Sequence, residues 1–188
     1  MRFDEFIDEQ AVAVLPVDRF AGLVVEVAVP RGWEPFDSAT GARVWVWPAD
    51  PSIDVFGANA VLTMHRVEAA LNPGEVFAML AEQQLHSVPG CTELRRELTA
   101  ATEGAGVTGL LAMRIAHELG TIDSASQSRI ITAEQETLIA QLTVTALHDS
   151  PVDRAHIWLS VHQGAAVAGA TSQDRHRNAP LTTTRGRD

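Results

Sequence analysis

The fold of this chain is decided by residues 58–89, which read ANAVLTMHRVEAALNPGEVFAMLAEQQLHSVP. Residues 58–67 are apolar on both alternating faces for most of their length, a pattern typical of a strand that is covered on both sides. The following helix is predicted to begin with Asn72 as its cap, Pro73 at its first position and Glu75 three residues after the cap. Pro89 and Gly90 end it. The stretch therefore predicts a buried strand that leads directly into a capped helix.

Further strands are predicted on both sides of this unit. Upstream they cover residues 22–29 and 43–47, and a period of two places Trp45 and Trp47 on one face. Downstream they cover residues 92–99, 109–118, 127–133 and 138–146, with a loop over 120–126. Because short Gly-rich turns join most of these strands, we expect hairpins and an antiparallel sheet.

Further helical segments are predicted near both ends of the chain, and the helices are expected to cover the sheet. Residues 3–15 are amphipathic and predict either a short helix or an arm laid over the sheet. Residues 150–153 repeat the capping pattern and predict a second helix. Its inward residues would be Val152, Ala155, Leu159 and Trp158. The fold class is therefore α+β, an antiparallel β-sheet flanked by helices, in a single domain over residues 1–168. The polar, Arg-containing residues 169–188 predict a flexible tail.

Composition narrows the class of protein. The 188 residues carry a net charge of −10, and all 14 basic residues are arginine. Before Asp174 there are 10 arginines against 22 acids, so we expect no nucleic-acid partner. The single cysteine, Cys91, excludes an internal disulfide and a cysteine-built zinc site. The acidic amino terminus lacks the apolar core of a signal peptide, and no apolar run approaches the roughly 20 residues that span a bilayer. We expect a cytoplasmic protein without a membrane anchor, with export without a cleaved signal peptide as the alternative.

Two motifs resemble a known family. The first is Pro30-Arg31-Gly32-Trp33, after a first strand. The second is residues 58–63, which lead through Asn72-Pro73-Gly74-Glu75 into a helix that ends at Val88-Pro89-Gly90. Together they resemble the LpqN/LpqT group of actinobacterial proteins, which is similar in fold to Mog1 and PsbP, over about residues 23–163. The resemblance implies a Mog1/PsbP-like α/β/α sandwich with a binding or accessory role and no catalytic residues. Many members carry a lipid on a cysteine near the amino terminus, whereas Cys91 lies in the middle of this chain.

No stretch carries an active-site signature. A Gly-x-Ser-x-Gly elbow is absent, and Ser150, although next to His148, is better placed to cap the predicted helix. Residues 104–109 spell GxGxxG, but they precede a strand where a phosphate loop would open a helix. The histidines lack the spacing of metal ligands. We therefore predict no catalytic residue, no metal and no cofactor.

Three functions stay open. The first is a non-catalytic binding or accessory module that contacts an unidentified protein partner, or a second copy of itself, through a sheet face or an exposed sheet edge. The second is a carrier of a small apolar ligand between sheet and helix. The third is a hydrolase-like enzyme of unrecognised type, with His65, His117 and His148 as candidate bases.

One set of residues is the candidate ligand or partner surface. Trp45 and Trp47 could form the floor of a site, or the same two rings could fill the core, where tryptophan is usually well buried. Met64 would line the same gap between sheet and helix, and His65 follows it on the organising strand. The predicted surface therefore consists of Trp45, Trp47, Met64 and His65.

Overall fold

A large antiparallel sheet organises the protein, and it is built around the strand that the sequence identifies first. The structure is a computed structural model that describes residues 1–102 and 104–164. The predicted tail, residues 169–188, and the predicted domain end at residue 168 lie outside the described residues. Ten strands, three α-helices and one short 3-10 turn occur in the described part, and their bounds are α1 Phe3–Gln10, β1 Val14–Pro16, β2 Leu23–Ala28, β3 Glu34–Ala39, β4 Ala42–Val46, α2 Ile53–Phe56, β5 Asn59–Val67, α3 Pro73–Ser87, β6 Cys91–Ala100, β7 Val107–His117, β8 Gly120–Thr132, β9 Thr137–Leu147, the 3-10 turn Arg154–His156 and β10 Trp158–Gln163.

The strands form two sheets. The large sheet has the order β3-β4-β5-β9-β8-β7-β6, and β1 pairs with the end of β5 beside β4. All of its pairs are antiparallel. The small sheet is an antiparallel ribbon of β2 and β10. The predicted antiparallel sheet and the α+β class are confirmed.

The predicted unit of strand and capped helix is also confirmed. β5 and α3 begin and end within two residues of the predicted bounds. The Asn72 side chain accepts hydrogen bonds from the backbone N–H groups of Gly74 at 2.9 Å and Glu75 at 3.2 Å. Those two donors have no partner inside the helix, so the Asn72 cap satisfies them locally.

The large sheet has two differently covered faces. On its helix face, Val67, Ile130 and Ile139 pack against Phe3 of α1 and Phe77 of α3. Its opposite face, called here the ribbon face, packs against the β2–β10 ribbon. There the buried side chains include Ala60, Leu62, Met64, Leu142 and Val144 from the large sheet and Val161 from β10. Both long helices therefore lie on one face, and a two-stranded ribbon covers the other.

The predicted second helix is wrong. Asp153 accepts a hydrogen bond from the Ala155 N–H at 3.1 Å, but this caps only one 3-10 turn. From Trp158 onward the chain is a strand, because Leu159 and Val161 alternate inward against β2 and the core. The alternation of inward and outward side chains in β10 therefore outweighs the capping signal that precedes it in the sequence. The similarity to Mog1 and PsbP in how helices flank the sheet stays a prediction.

Two further local predictions need correction. Residues 120–126 form part of β8, although their polar, small side chains resemble a loop. The reason is tertiary: the hydroxyl groups of Ser126 and Thr143 on the neighbouring strand lie 2.8 Å apart in a hydrogen bond. In addition, the amphipathic amino terminus is both a helix, α1, and a short strand, β1. β3 was not predicted, since all six of its residues are exposed and show no apolar alternation.

Candidate functional site

The four predicted surface residues do not share one surface. In the register of the sheet Trp45 lies opposite Ala60, so both side chains belong to the ribbon face. Trp47 and Met64 lie on that same face, and Trp45 and Trp47 are partly buried against its core. His65 follows Met64 directly and therefore points to the helix face. The structure brings the first three together and places the fourth on the other side of the sheet.

The ribbon-face residues are core residues. Only 2% of the Met64 surface is exposed, and the residue belongs to the largest buried cluster. The Trp47 indole also packs near the turn at Gly32, where a Cβ atom would lie 3.5 Å from Trp47 Nε1. These contacts leave Met64 without a ligand-accessible surface. The predicted gap between sheet and helix is not formed by these three residues, because the ribbon and not a helix faces them.

A cleft is present on the helix face, where α1 and α3 meet β5 and β9, and we refer to it as the α1–α3 cleft. Its volume is about 380 Å³, within the usual range for small-molecule sites. Its apolar walls come from both helices and the sheet. The lining residues are Phe3, Asp4, Ile7, Asp8, Val14, Thr63, His65, Leu80, Gln83, Ile139 and Gln141.

Hydrogen bonds hold the frame of this cleft. The Asp4 backbone N–H donates to Gln83 Oε1 at 3.0 Å and ties α1 to α3. On the floor, Gln141 Nε2 donates to Ser128 Oγ at 3.0 Å, which orients the amide of Gln141 along the sheet. Polar side chains in the cleft are therefore positioned by the protein itself, as a pre-formed site requires.

His65 is the titratable group at the centre of the cleft floor. It is half-buried on β5, opposite Ile139 of β9 and Pro16 of β1. Burial lowers the pKa of His65 below its ordinary value of 6.5, because the charged imidazolium is poorly solvated there. At neutral pH the ring is therefore uncharged, and it offers a ligand one donor and one acceptor nitrogen.

The cleft lining combines apolar side chains with a few polar ones. Its lining contains no serine or cysteine, and its hydroxyl group beside His65 is that of Thr63. Within residues 1–102 and 104–164, no group of three or more His, Cys, Asp or Glu side chains could hold a metal ion. What the arrangement supplies is apolar contact area with a few oriented polar groups.

The other candidate bases are used elsewhere. His117 Nδ1 accepts a hydrogen bond from the Leu119 N–H at 3.2 Å within its own turn. His148 Nδ1 lies 2.8 Å from Asp123 Oδ2, and Arg114 Nε donates to Asp123 Oδ1 at 2.9 Å. The hydrogen bonds from Arg114 and His148 lower the pKa of Asp123 despite its partial burial. His117, His148 and His65 therefore lie in separate parts of the structure, each with different neighbours.

Ser150 has a role that the sequence did not reveal. The predicted helix cap is wrong, since its hydroxyl group donates to Asp50 Oδ2 at 3.1 Å, across 100 residues of sequence. The same carboxylate accepts from the backbone N–H groups of Ser52 at 2.9 Å and Ala58 at 2.9 Å. Asp50 thereby joins the loop before β5 to the loop after β9. This arrangement is structural, because all three donors are committed to one carboxylate.

Sequence reasoning identified His65 of the cleft but missed its companions. For Gln141 the one signal available was the regular alternation of β9, which places it on the face opposite Ala140 and Leu142. Leu80 and Gln83 belong to the predicted helix, yet nothing local indicates which part of α3 borders a cleft. Phe3 and Ile7 lie far from β5 in sequence, and only the docking of α1 brings them to His65.

Comparison with solved structures shows which known fold this architecture resembles. No known protein-family profile matches the sequence, and no curated protein matches it. Among solved structures, LpqN of Mycobacterium tuberculosis matches with a TM-score of 0.64 over 79% of this chain and 87% of its own, at 20% sequence identity. The chain has the LpqN fold. A structure from Bacteroides thetaiotaomicron VPI-5482 matches more loosely, with a TM-score of 0.39 and 11% identity over 70% of this chain and 41% of that one.

The match confirms, at the level of the fold, the resemblance to the LpqN group. In this LpqN-like fold the Pro30-Arg31-Gly32-Trp33 motif is a turn closed by a hydrogen bond from the Trp33 N–H to the Pro30 carbonyl oxygen at 3.4 Å. Gly32 has a φ of +91°, a conformation that favours glycine. Trp33 is buried in the ribbon-face core. The motif is thus part of what makes the fold, and its residues lie on the opposite side of the sheet from the α1–α3 cleft.

LpqN is described as involved in cell envelope biogenesis of Mycobacterium tuberculosis, and that description names no reaction. At 20% identity the likeness shows a shared fold alone. No helix among the described residues is long and apolar enough to cross a membrane.

Proposed function

We propose that the protein is a non-catalytic binding protein that holds a small, partly apolar molecule in the α1–α3 cleft. The observation that carries the proposal is the cleft itself, a space of about 380 Å³ with apolar walls and the half-buried His65 on its floor. A pocket that combines apolar walls with a few convergent polar groups is the usual form of a ligand site. The proposed ligand site therefore lies on the helix face of the large sheet, and not on the ribbon face that carries Trp45 and Trp47.

The charges around the cleft favour a neutral or cationic ligand. Asp4 and Asp8 lie in its lining, and His65 is uncharged at neutral pH. The chain as a whole carries −10 charges, which repels anions at long range. Apolar contact with Ile7, Leu80 and neighbouring side chains would supply most of the binding free energy, and the His65 ring would orient a polar group of the ligand.

An accessory role follows from binding without chemistry. LpqN, with the same fold, is described as involved in cell envelope biogenesis. That description supports an accessory role for the present chain as a proposal, and it favours the exported alternative over the cytoplasm. A protein partner is the second candidate function, favoured by the free edge of β10, which pairs with β2 on one side only.

A charged side chain in the apolar wall of the cleft is expected to weaken ligand binding. N-phenyl-1-naphthylamine, a neutral apolar dye that fluoresces when it leaves water, should bind in a one-to-one ratio. Leu80→Arg places a charged guanidinium in an apolar wall and should weaken binding by at least about tenfold. Ala78→Arg adds the same charge at an exposed position of α3 and should leave the affinity unchanged. Equal dye binding by both variants in a fluorescence titration would contradict the location of the site.

Binding of the same neutral dye is expected to weaken in acid. Protonation of His65 would put a charge on the cleft floor, and because burial lowers its pKa, the loss should occur as the pH falls below 6.5. The folded state disfavours the same proton, so the contribution of His65 to stability is also lost in that direction. His65→Gln should flatten the binding profile between pH 7 and about pH 5, because the amide carries no proton to gain in that range. An unchanged profile in His65→Gln would exclude the ring from the site.

A further inference from the structure

One side chain takes the place of a neighbouring strand at the free edge of β10. Gln127, which projects from β8 on the ribbon face, donates from Nε2 to the Ile157 carbonyl oxygen at 2.9 Å. Its Oε1 accepts from the Leu159 N–H at 3.1 Å. A single amide therefore satisfies one donor of β10 and one acceptor of the residue just before it, as the peptide group of an adjacent strand would.

Beyond Leu159, no side chain of the described residues takes the place of a neighbouring strand. The even-numbered residues of β10 face β2 with their backbone groups, since Ser160 lies opposite Glu26 and the Gly164 N–H donates to the Gly22 carbonyl oxygen at 2.9 Å. The N–H and C=O of Val161 consequently point away from β2. No residue of the described part pairs with them. Because only 4% of Val161 is exposed, these two groups are a largely buried, open hydrogen-bonding position.

A cleft borders this open position, and we refer to it as the β10 edge cleft. Its volume is about 420 Å³, and Thr108 and Arg129 line it on the side of the large sheet. The guanidinium of Arg129 is held in place by donation from Nη1 to the Val107 carbonyl oxygen at 3.2 Å. The Ser160 hydroxyl is shielded from solvent and has no hydrogen-bond partner among the described residues. Trp158, 48% exposed, lies at the mouth.

The two edge strands of the large sheet, β3 and β6, are built to resist added strands. β3 carries Pro35, a register shift between Pro35 and Asp37, and two acidic side chains. β6 has a register shift between Glu93 and Arg95 and a dense array of ion pairs. Proline, bulges and charge are the devices by which proteins protect sheet edges. β10, with the sequence WLSVHQ, has none of them.

We propose that the β10 edge cleft binds an extended peptide segment, which adds to β10 as a strand and exchanges two backbone hydrogen bonds with Val161. The Ser160 hydroxyl and the exposed Trp158 ring would contact its side chains. Glu26 in the lining and the net charge of −10 favour a neutral or basic segment over an acidic one. This site is independent of the α1–α3 cleft, because it lies on the ribbon face.

The test uses a pool of capped hexapeptides in which β-branched residues alternate with serine or lysine. In amide-resolved NMR of the full chain, the pool should shift the resonances of Val161 and Gln163 and slow hydrogen exchange at Val161. The best-binding peptide should lose about tenfold in affinity when its pairing residue is N-methylated, since methylation removes its backbone donor. Methylation of the residues on either side should have little effect.

Two variants locate the site. Thr108→Trp fills the cleft from an exposed position of β7 and should abolish the shifts at Val161. Thr92→Trp adds the same ring at an exposed position on the same face, near the other end of the sheet, and should bind as the unaltered chain does. The proposal is overturned if no peptide of the pool binds, if the shifts fall on β3 or β6, if Thr108→Trp binds normally, or if β10 pairs instead with a second copy of the chain.

Discussion

Replacement of Asp50 by alanine is expected to lower the free energy of unfolding by about 3 kcal/mol, because it leaves buried hydrogen-bond donors without an acceptor. Only 2% of Asp50 is exposed. Its carboxylate accepts from the backbone N–H groups of Ser52 and Ala58 and from the Ser150 hydroxyl, at 2.9–3.1 Å. The Ala58 N–H is itself buried and cannot form a replacement hydrogen bond with water. Urea denaturation of the variant and the unaltered chain measures the difference.

Two further variants separate the lost hydrogen bonds from a general effect of losing an acid. Asp54→Ala removes an exposed carboxylate from the nearby short helix α2 and should change stability by less than about 0.5 kcal/mol. Ser150→Ala removes one of the three donors together with its need for a partner, so it should destabilise by only about 1 kcal/mol. A loss in Asp50→Ala no larger than that in Asp54→Ala would contradict the structural role given to this carboxylate.

Truncation of Phe77 to alanine should produce the other large loss, about 4 kcal/mol, because it opens a cavity under α3. Phe77 is 3% exposed and belongs to the cluster with Val67, Ile130 and Ile139. Its ring lies directly on Gly109 of β7, so closely that a Cβ atom at that position would overlap the ring. Gly109 is therefore required by the close approach of a helix side chain to the sheet, and not by its backbone conformation.

The contact predicts a dependence between the two positions. Gly109→Ala alone should destabilise by about 2 kcal/mol, since the new methyl group displaces the ring. In the background of Phe77→Ala the same methyl group enters vacated space, so the double variant should be more stable than the sum of the single losses predicts, by about 1 kcal/mol or more. Thr108→Ala, at the exposed neighbouring position, is the control. If the stability losses of Phe77→Ala and Gly109→Ala simply add in the double variant, the Phe77 ring does not lie on Gly109.

Several elements could be predicted because their signals are local. The Asn72 cap, Pro73 at the first helical position and the stop at Pro89 all act within a few residues of α3, so short-range sequence is sufficient. β5 and β9 were predicted from their apolar patterns, since a buried strand shows its environment in its own side chains. The misread elements are those whose stabilising partner is distant. Ser126 of β8 bonds to Thr143, and Leu159 of β10 packs in a core built largely from other strands.

The candidate site divides in the same way. Trp45, Trp47 and Met64 lie on one side of the sheet, but nothing in their spacing tells whether a helix or a ribbon covers that side. His65 was selected with them, and its position next to Met64 alone places it on the opposite face.

Caps, turns and strand periods act over a few residues, so local sequence was sufficient to predict the α+β class, the antiparallel sheet, the unit of β5 and α3 and the resemblance to the LpqN group. Tertiary structure alone decided that β10 replaces a helix, that Asp50 holds Ser150 across 100 residues, and that α1 encloses His65 in a cleft. It also decided that Gln127 bonds to Ile157 and Leu159 and that the backbone groups of Val161 have no partner among the described residues. These features depend on which surfaces meet when the elements dock, and the free energy of that docking comes from contacts between residues that no local pattern connects.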